Sequence, residues 1–495
     1  MVEVLVVGAG PTGLTAACAL LARGIQVRVV DGAAGPATTS RALGLQPRGQ
    51  EVLRRVGALG DLPERALDIR ATGIHVAGRK VVDVGAAMGD GGPRMWWIPQ
   101  TEVEERLRAR LAELGGSVEW GTTVRALTQD ADGVDAELGD GTRLRAGWVI
   151  GCDGAHSQVR KSAGIGFPGA PVLERFLLAD VHLDRSGDTA AGTFLGAGGQ
   201  FVAMPLPHPD GDLWRLMAPA PAGLGDDPDE AAILRLLTGF AVERAGFSGL
   251  RITSPEWTSV FRFHRRLADT YRAGRMLLAG DAAHIHSPLG GQGLNTGIGD
   301  AENLAFKLAL VISGHAGEAL LDTYTAERRP IAESVLRATS FGTKLGFAET
   351  PAGQRVFAAV APVLRLPVVQ RRLLHASSQL GISYRRGPLA GRRFRAWRGP
   401  GVGDRVPDLP TRDADGGRAS LHERLKTGWA LLAGGAAGDY LRAASARLGA
   451  GNVRVLAPEN GAAQEVWLVR PDGHLAWRGR GVAGLDAALR RVTCA

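Results

Sequence analysis

The first thirty residues contain the pattern that most constrains the fold. Residues 2–7, VEVLVV, form a short β-branched apolar run, which is typical of a buried parallel strand. The glycine-rich turn GAGPTG (8–13) follows at once, and residues 14–23 then carry apolar side chains at helical spacing. Residues 25–31, IQVRVVD, read as a second strand. Strand, glycine turn, helix and strand in this order predict a βαβ unit.

The residues of that unit fit a dinucleotide. Gly8 allows the tight turn, Gly10 lets the backbone approach a pyrophosphate, and Gly13 permits close packing of helix on strand. The start of the helix favours the phosphate charge. Asp31 ends the second strand, where a carboxylate can accept hydrogen bonds from ribose hydroxyls and would repel a 2′-phosphate. The unit therefore predicts a dinucleotide site, without separating FAD from NAD.

Two further glycine–aspartate turns follow apolar strands. GCDGAHSQVR (151–160) comes after the run GWVI, and its alternative interpretation is a surface turn that caps a helix. GDAAH (280–284) comes after RMLLA and leads, through PLGGQGLN (288–295), into another helix. Backbone of this kind can lie flat against a planar ring, and its N–H groups can stabilise negative charge.

The remaining chain alternates between helical and strand patterns. Residues 101–116 predict a helix, and 171–264 are predominantly β with one helix inside. Helical periodicity extends to about residue 385. The proline- and glycine-bearing stretch 398–410 is typical of a linker, and the tail after it carries strands at GWALLAG, NVRVLAP and EVWLVRPDGHLAW. The whole predicts an α/β protein of several domains.

Composition argues against several other classes of protein. The three cysteines lie far apart without a CxxC, so we expect neither a disulfide framework nor a metal site, and we expect a cytoplasmic location. The net charge of +8 comes with arginines scattered along the chain and no recognition motif, so we do not expect nucleic-acid binding. No uncharged apolar run is long enough to predict a membrane span.

Taken together, the ordered motifs GAGPTG, GCDGAHSQVR and GRMLLAGDAAHIHSPLGGQGLN resemble those of the class A flavoprotein monooxygenases, the para-hydroxybenzoate hydroxylase-like fold. The resemblance covers roughly residues 1 to 340 and is greatest to the branch that acts on phenols and aromatic polyketides. The tail is similar to the thioredoxin-like C-terminal domain of the phenol hydroxylases, without its CxxC.

The resemblance implies an α/β fold with a Rossmann-like FAD-binding domain, a β-sheet substrate domain and a C-terminal thioredoxin-like domain. We expect the first part of the FAD domain at 1–170, with about 71–97 contributing to the substrate side, and the substrate domain at 171–264. The second part of the FAD domain and a helical segment follow at 265–397, and the thioredoxin-like domain at 398–495. A role of the last domain in dimer contacts is a hypothesis, and either a monomer or a homodimer is compatible with the sequence.

The resemblance also implies which residues hold FAD. The turn residues would bind the pyrophosphate, Asp31 the ribose, Val124 the adenine through its backbone, and Asp281 the ribityl chain. Asp153 would belong to the motif that the family uses for both FAD and NADPH. The implied cofactor residues are Gly8, Gly10, Pro11, Thr12, Gly13, Asp31, Arg41, Gln100, Val124, Asp153, Asp281, Pro288, Gly293, Leu294 and Asn295. Gly32 departs from the family, where many members have a basic residue.

The implied reaction consumes NADPH or NADH and dioxygen, and a flavin C4a-hydroperoxide hydroxylates a small phenolic or polycyclic aromatic substrate such as a polyketide. No second dinucleotide motif appears, which fits a reductant that docks transiently. We find no nucleophile or triad and therefore name no catalytic residue; His284 and His286 fit a place near the ring and a structural role equally well. Large side chains that suit an aromatic ligand are Trp96, Trp97, Phe201, Met204, Trp214 and Met217.

Four other functions are compatible with the sequence to different degrees. The same motifs are compatible with Baeyer–Villiger oxygenation of a ketone and with oxidative inactivation of an aromatic antibiotic. A protein that binds flavin and polyketide without turnover is a further alternative. A two-domain NAD dehydrogenase is the weakest, because it leaves the second and third motifs unexplained.

Overall fold

The structure is a computed structural model. It describes residues 1–39, 42–67, 72–76, 78–83, 94–184, 191–196, 199–247, 249–286, 291–346, 362–391, 399–435, 437–459 and 465–494.

Twenty-two strands occur in the described residues. In chain order they are β1 (Val2–Val7), β2 (Val27–Val30), β3 (Thr72–Val76), β4 (Arg79–Asp83), β5 (Val118–Glu119), β6 (Val124–Gln129), β7 (Val134–Leu138), β8 (Arg143–Gly151), β9 (Gly169–Asp184), β10 (Ala191–Gly196), β11 (Gly199–Pro205), β12 (Leu213–Pro219), β13 (Arg251–Leu267), β14 (Arg272–Ala273), β15 (Met276–Leu278), β16 (His284–Ile285), β17 (Pro410–Arg412), β18 (Arg418–Ser420), β19 (Trp429–Leu432), β20 (Val453–Pro458), β21 (Val466–Val469) and β22 (Leu475–Gly479).

The α-helices of the same residues are α1 (Pro11–Leu21), α2 (Pro47–Val56), α3 (Leu62–Arg65), α4 (Gln100–Glu113), α5 (Gln158–Ser162), α6 (Glu230–Ala245), α7 (Gly293–Ile312), α8 (Ala319–Gly346), α9 (Pro367–Ser377), α10 (Leu421–Arg424), α11 (Gly438–Leu448) and α12 (Val482–Thr493). Among them, none combines the length and the apolar content needed to cross a bilayer.

The first sheet has a parallel centre in the strand order β15–β8–β1–β2. Val4, Leu5 and Val6 of β1 are fully buried, as expected for a strand with helices on its faces. β1 and β2 are parallel neighbours and α1 joins them, so the predicted βαβ unit is confirmed. The carboxyl ends of these four strands lie side by side at one edge of the sheet.

The second sheet is mostly antiparallel, in the order β16–β13–β9–β12–β11–β10–β3–β4. Successive residues of a strand point to opposite faces of the sheet. One face packs on α6, which Asp229 caps at its start by accepting the Ala232 N–H at 2.6 Å and which ends at Gly246 in the left-handed region. The opposite face turns toward the carboxyl edge of the first sheet, so a space remains between the two sheets.

The third sheet lies in the C-terminal part, in the order β18–β17–β20–β19–β21–β22. β19 is parallel to β20 and antiparallel to β21, with α11 between β19 and β20 and α12 after β22. Its core includes Trp429, Leu468 and Leu485 and continues into Phe306 and Leu310 of α7. The strands predicted at GWALLAG and NVRVLAP are confirmed as β19 and β20, whereas the third predicted stretch, EVWLVRPDGHLAW, forms the two antiparallel strands β21 and β22.

Candidate active site

The three glycine–aspartate turns meet at one edge of the first sheet. GAGPTG follows β1, Asp31 follows β2, GCDG begins at the last residue of β8, and Asp281 lies just beyond β15. Neighbouring strands are about 4.8 Å apart, so the four strand ends span about 14 Å. That row is long enough to follow an extended dinucleotide across the sheet.

The first turn is open toward a cavity at Gly10 and closed elsewhere. Gly8 has φ +104°, and a Cβ there would come within 2.3 Å of the Cys152 carbonyl oxygen. A Cβ at Gly13 would meet the Gly8 carbonyl oxygen at 1.9 Å, whereas one at Gly10 would touch nothing within 4 Å. Gly8 and Gly13 therefore let the strand and helix pack closely, and Gly10 leaves the backbone exposed to an approaching group.

Asp31 holds the same turn from the neighbouring strand. Its carboxylate accepts the Ala9 N–H at 2.7 Å and the Ala33 N–H at 2.8 Å. The carboxylate thus fixes the glycine turn while it remains at the sheet edge. Gly32, where the sequence departs from the family, lies against Thr123, since a Cβ at Gly32 would come within 2.8 Å of the Thr123 methyl group.

Asp153 caps the helix that follows the second turn. Its Oδ2 accepts the N–H groups of Gln158 and Val159 at 2.7 and 3.1 Å, and Ser157 accepts the Arg160 N–H. Its Oδ1 is buried and has no hydrogen-bond partner among the described residues. The helix-cap interpretation of this motif therefore describes the geometry of Asp153, while the adjoining Cys152 and Gly154 line the cavity.

The third turn is held by Asp300 on α7. Its Oδ2 accepts the Gly280 N–H at 3.2 Å and lies 2.6 Å from His284 Nε2, and Oδ1 accepts from Arg328 Nε at 2.7 Å. Burial opposes ionisation of Asp300, but Arg328 and His284 outweigh it and hold the pKa of this carboxyl below its ordinary value. The ionised Asp300 thus positions the turn that carries Asp281.

Asp281 itself lines the cavity and is exposed to it. The surrounding protein desolvates the carboxylate and raises its pKa above the ordinary value, with His284 acting in the opposite direction. Of the two histidines in this motif, His284 is fully buried against Asp300, whereas His286 lines the cavity. The structural interpretation therefore fits His284, and the interpretation of a place near the ring fits His286.

The start of α7 closes the same end of the cavity. Gly293 and Leu294 line it. Asn295 is buried instead: its Nδ2 donates to the carbonyls of Gly44 and Gly291 at 2.9 and 2.7 Å, and its Oδ1 accepts the Gln46 N–H at 2.9 Å. Asn295 thus ties the segment after residue 42 to the helix start and does not itself face the cavity.

One cavity of about 670 Å³ extends from the turns to the second sheet. At the turn end it is lined by Gly10, Pro11, Thr12, Gln100 and Asp281. At the sheet end it is lined by Ile74, Thr193, Val202, Met204, Arg215 and Met217. The turn end offers backbone groups that suit a phosphate and a carboxylate that suits hydroxyl groups, and the sheet end offers an apolar wall that suits a planar ligand.

The candidate substrate residues divide between two faces of the second sheet. Trp97, Met204 and Met217 line the cavity. Phe201 and Trp214 lie on the opposite face in the core under α6, and Trp96 packs against the core of the first sheet. Phe201 and Met204 belong to one strand, β11, but their odd and even positions point to opposite faces of the sheet.

Sequence reasoning missed several residues of the cavity. Arg215 is buried and forms a bidentate ion pair with Asp180, at 2.8 and 2.7 Å. Leu374 and Ser377 reach the cavity from α9, far along the chain. Period-two alternation on β12 could have indicated Arg215 together with Met217, but nothing in the sequence relates α9 to this site.

The other implied cofactor residues lie as follows. Gln100 begins α4, where its N–H donates to the Ala42 carbonyl at 3.1 Å, and Val124 begins β6. Arg41 and Pro288 lie outside the described residues.

The site fits FAD on three observations. The open space over Gly10 admits a pyrophosphate at the backbone, and Asp281 offers a carboxylate that gains hydrogen-bond donors if a polyol chain binds beside it. The start of α7 points its N–H groups at the same end, where they favour negative charge on a ring.

Comparison with known proteins gives matches over nearly the whole chain. A family model described as an FAD binding domain matches residues 1–339, and one described as the C-terminal domain of aromatic-ring hydroxylases matches residues 399–495. The chain is 38% identical over 400 residues to the 6-methylpretetramide 4-monooxygenase of Streptomyces rimosus, covering 78% of this chain and 71% of that protein. It is 36% identical over 496 residues to a rifampicin monooxygenase of Streptomyces venezuelae, covering 97% and 96%.

A solved structure resembles the whole chain as well. The ternary complex of aklavinone-11 hydroxylase with FAD and aklavinone superposes with a TM-score of 0.78 at 29% identity, covering 100% of this chain and 99% of that one.

Proposed function

Because the chain belongs to the FAD-dependent aromatic monooxygenases, we propose that it hydroxylates a phenolic or polycyclic, polyketide-like aromatic substrate with NADPH or NADH as reductant. One observation carries the proposal. A single cavity is bounded at one end by Gly10 and Asp281 and at the other by the apolar side chains of Met204 and Met217. A cofactor and a planar substrate placed in it would be in contact.

We propose that residues of the three glycine–aspartate turns and several residues outside them hold FAD. Gly8, Gly10, Pro11, Thr12 and Gly13 would bind the pyrophosphate, Asp31 and Val124 the adenosine, Arg41, Gln100 and Asp281 the phosphate and ribityl region, and Pro288, Gly293, Leu294 and Asn295 the ring side, with Asn295 acting through the segment it ties down. Asp153 would serve through the turn that it caps. Bound FAD supplies the activation of dioxygen, from which one oxygen atom reaches the substrate and the other leaves as water.

The chain's own residues then orient the substrate and limit the access of water. Met204, Met217 and Trp97 give the wall its apolar surface, so a planar ring gains free energy on leaving water for this cavity. The guanidinium of Arg215 reaches the same wall with its charge compensated by Asp180, so it offers N–H donors without a large net charge. A polar oxygen of the substrate that lies near Arg215 would fix the direction in which the ring enters.

We propose that the reductant docks transiently at the same cavity. The spacing GxGxxG also occurs at residues 164–169 and 479–484, but among the described residues only the turn 8–13 lies in a βαβ unit of the kind that binds a dinucleotide. We also propose that residues 398–495 form a thioredoxin-like domain. The βαβ unit β19–α11–β20 followed by β21–β22–α12, in the sheet order β20–β19–β21–β22, supports this topology. The division of the preceding chain at residues 170 and 264 stays part of the same proposal.

The test is oxidation of NADPH and of NADH by the FAD-loaded protein, with and without tricyclic and tetracyclic phenols, under labelled dioxygen. The proposal expects substrate-stimulated oxidation and a product with one labelled oxygen on a ring. A labelled lactone or ester would assign ketone insertion instead. Ligand binding without stimulated oxidation by either nucleotide would contradict the proposal and favour a binding protein.

A further inference from the structure

A cluster of two imidazoles and a carboxylate lies outside the cavity lining, at the far end of the second sheet. His182 belongs to β9, and His208 and Asp212 belong to the turn that joins β11 to β12. One nitrogen of each histidine and a carboxylate oxygen all lie within 4.8 Å of one another. The proposed oxygenase reaction makes no use of these groups.

The carboxylate of Asp212 faces both imidazoles, with one oxygen toward each. Oδ2 is 2.9 Å from His182 Nδ1, and Oδ1 is 3.1 Å from His208 Nδ1. Ligand atoms around a tetrahedral Zn²⁺ are about 3.4 Å apart, since each lies about 2.1 Å from the ion. The three side chains are therefore close to a metal-binding arrangement before any ion arrives.

Two details point to a cation rather than to hydrogen bonds alone. Asp212 Oδ1 is buried and has no hydrogen-bond donor among the described residues, although His208 Nδ1 is near. The Asp210 N–H donates to that nitrogen only at the long distance of 3.4 Å, so the His208 Nδ1 lone pair and the Asp212 oxygen are two acceptors in proximity, and an ion would replace this weak hydrogen bond. A metal ion between two acceptors would satisfy both.

The outer side of His182 carries the partner that metal-ligating histidines usually have. Its Nε2 is 3.0 Å from Glu256 Oε1 on β13, so the Nε2–H can donate to this carboxylate while Nδ1 stays free of a proton. Such a carboxylate fixes the tautomer and the ring orientation of a histidine ligand.

We propose that His182, His208 and Asp212 form a binding site for a divalent transition-metal ion such as Zn²⁺, with Glu256 as the outer partner of His182. Nitrogen and carboxylate ligands suit Zn²⁺, and the partial exposure of the three side chains, 14%, 31% and 33%, leaves room for water as a fourth ligand.

The ion would fasten the β11–β12 turn to β9. The strands already pair here, with Leu213 opposite His182 and the Leu183 N–H donating to the Asp212 carbonyl at 2.9 Å. His182 is two residues from Asp180, on the same face of β9, and Asp180 holds Arg215 at the cavity wall. A bound ion would thus stabilise the strand ends next to that wall without entering the cavity.

The experiment is Zn²⁺ binding to the untagged, FAD-loaded full chain after treatment with a chelator, measured by equilibrium dialysis with elemental analysis and by the shift in melting temperature. We expect about one ion per chain and a rise in melting temperature. His208→Ala and Asp212→Ala should abolish both, and Glu256→Gln should weaken binding about tenfold. His375→Ala, at an exposed histidine on α9, is the matched control and should bind Zn²⁺ as the wild type does.

Two results would overturn the proposal: no ion bound by the wild-type chain, or binding that is unchanged in both His208→Ala and Asp212→Ala. The circular dichroism of each variant without metal reports folding separately. Ion binding and melting temperature are both measured without turnover. A result that contradicts the metal site therefore leaves the oxygenase proposal intact, and failure of the oxygenase proposal leaves the metal site intact.

Discussion

Among the described residues that line the cofactor end of the cavity, Asp281 is the one with a carboxylate. We expect Asp281→Asn to weaken FAD binding by about 1.5–3 kcal/mol, because a hydrogen bond to a charged acceptor contributes on that order. The ratio of FAD to protein after gel filtration, and the dissociation constant from flavin fluorescence, measure the effect. Asp322→Asn on α8, a largely exposed aspartate, is the matched control; full FAD retention in Asp281→Asn would contradict the proposed ribityl contact.

The same residue should make the stability of the FAD-free protein depend on pH. Desolvation raises the pKa of Asp281 in the folded chain above its unfolded value, so in the interval between the two the folded state holds a proton that the unfolded state has released. The free energy of unfolding therefore falls as pH rises through that interval. At pH 7, Asp281→Asn should raise it by at most about 1 kcal/mol, since the carboxylate faces water in the cavity. Urea unfolding of the FAD-free proteins from pH 4 to 7 tests this, and a decrease in the variant would contradict it.

Arg215 and Asp180 form a buried pair whose members depend on each other. Arg215→Met alone should lower the free energy of unfolding by about 3–5 kcal/mol, because it leaves the Asp180 carboxylate buried without a partner. The double variant Arg215→Met with Asp180→Leu should recover most of this loss. Urea unfolding of the four proteins of this cycle measures the coupling between the pair, and additive single effects would contradict it.

For the strands of the second sheet, the sequence patterns predicted their positions along the chain but not which face of the sheet lines the cavity. The sequence places β11 and β12 as strands, and Phe201, Met204, Trp214 and Met217 all have side chains that suit a planar ligand. Packing of α6, which begins at Glu230 beyond both strands, decides which set of alternate residues is covered by this helix, and large apolar side chains occur on both faces. Burial of aromatic side chains therefore did not identify the cavity.

The two faces of β12 should respond differently to truncation. Trp214→Ala, in the core under α6, should lower the free energy of unfolding by about 3–5 kcal/mol, because it leaves a cavity among packed side chains. Met217→Ala, on the cavity wall, should cost less stability but raise the KM for an aromatic substrate. Urea unfolding and steady-state kinetics on both variants separate the effects. A raised KM in Trp214→Ala with unchanged stability would contradict the assignment of faces.

In helix α7, too, one part was predictable from the sequence and another part was not. Its start was predicted from the glycine-rich turn before it, and Gly293 and Leu294 do reach the cavity. The next three turns bury Asp300, Asn303 and Lys307. Their i, i+3, i+7 spacing places them on one face of the helix, but polar side chains do not predict that this face is buried. Their partners are Arg328, Glu327 and Asp472, and the distance of these residues along the chain explains why the sequence could not relate them.

In the whole molecule, these buried charges join the C-terminal part to the helices behind the cofactor turns. Arg470 donates to both oxygens of Glu327 at 2.8 Å and to Asp472, and Lys307 donates to Glu327 at 2.8 Å. Arg48 donates to the Asp472 carbonyl at 2.7 Å. Helix α7 contributes Asn303 and Lys307 to this network, and its first residues line the cavity. We therefore expect loss of the C-terminal contacts to weaken FAD binding by displacing the start of α7.

The buried carboxylate of Glu327 accepts from both Arg470 and Lys307, so its substitution is the most direct test of this network. Burial opposes its ionisation, but Arg470 and Lys307 prevail and lower the pKa of Glu327 to about 2, so its contribution to stability is complete above the unfolded value near 4.5 and is lost as pH falls toward 2. Glu327→Gln should therefore lower the free energy of unfolding by about 3–5 kcal/mol at pH 7 and make it decline less steeply below pH 4.5.

The control is Glu333→Gln, the same substitution at a half-exposed position of α8, which should change neither the stability at pH 7 nor its decline in acid. Urea unfolding at pH 7, 5 and 3 gives the comparison, and equal acid slopes in Glu327→Gln and the wild-type chain would contradict the role of this carboxylate. A parallel loss of FAD in Glu327→Gln would show that the C-terminal contacts support the cofactor end through α7.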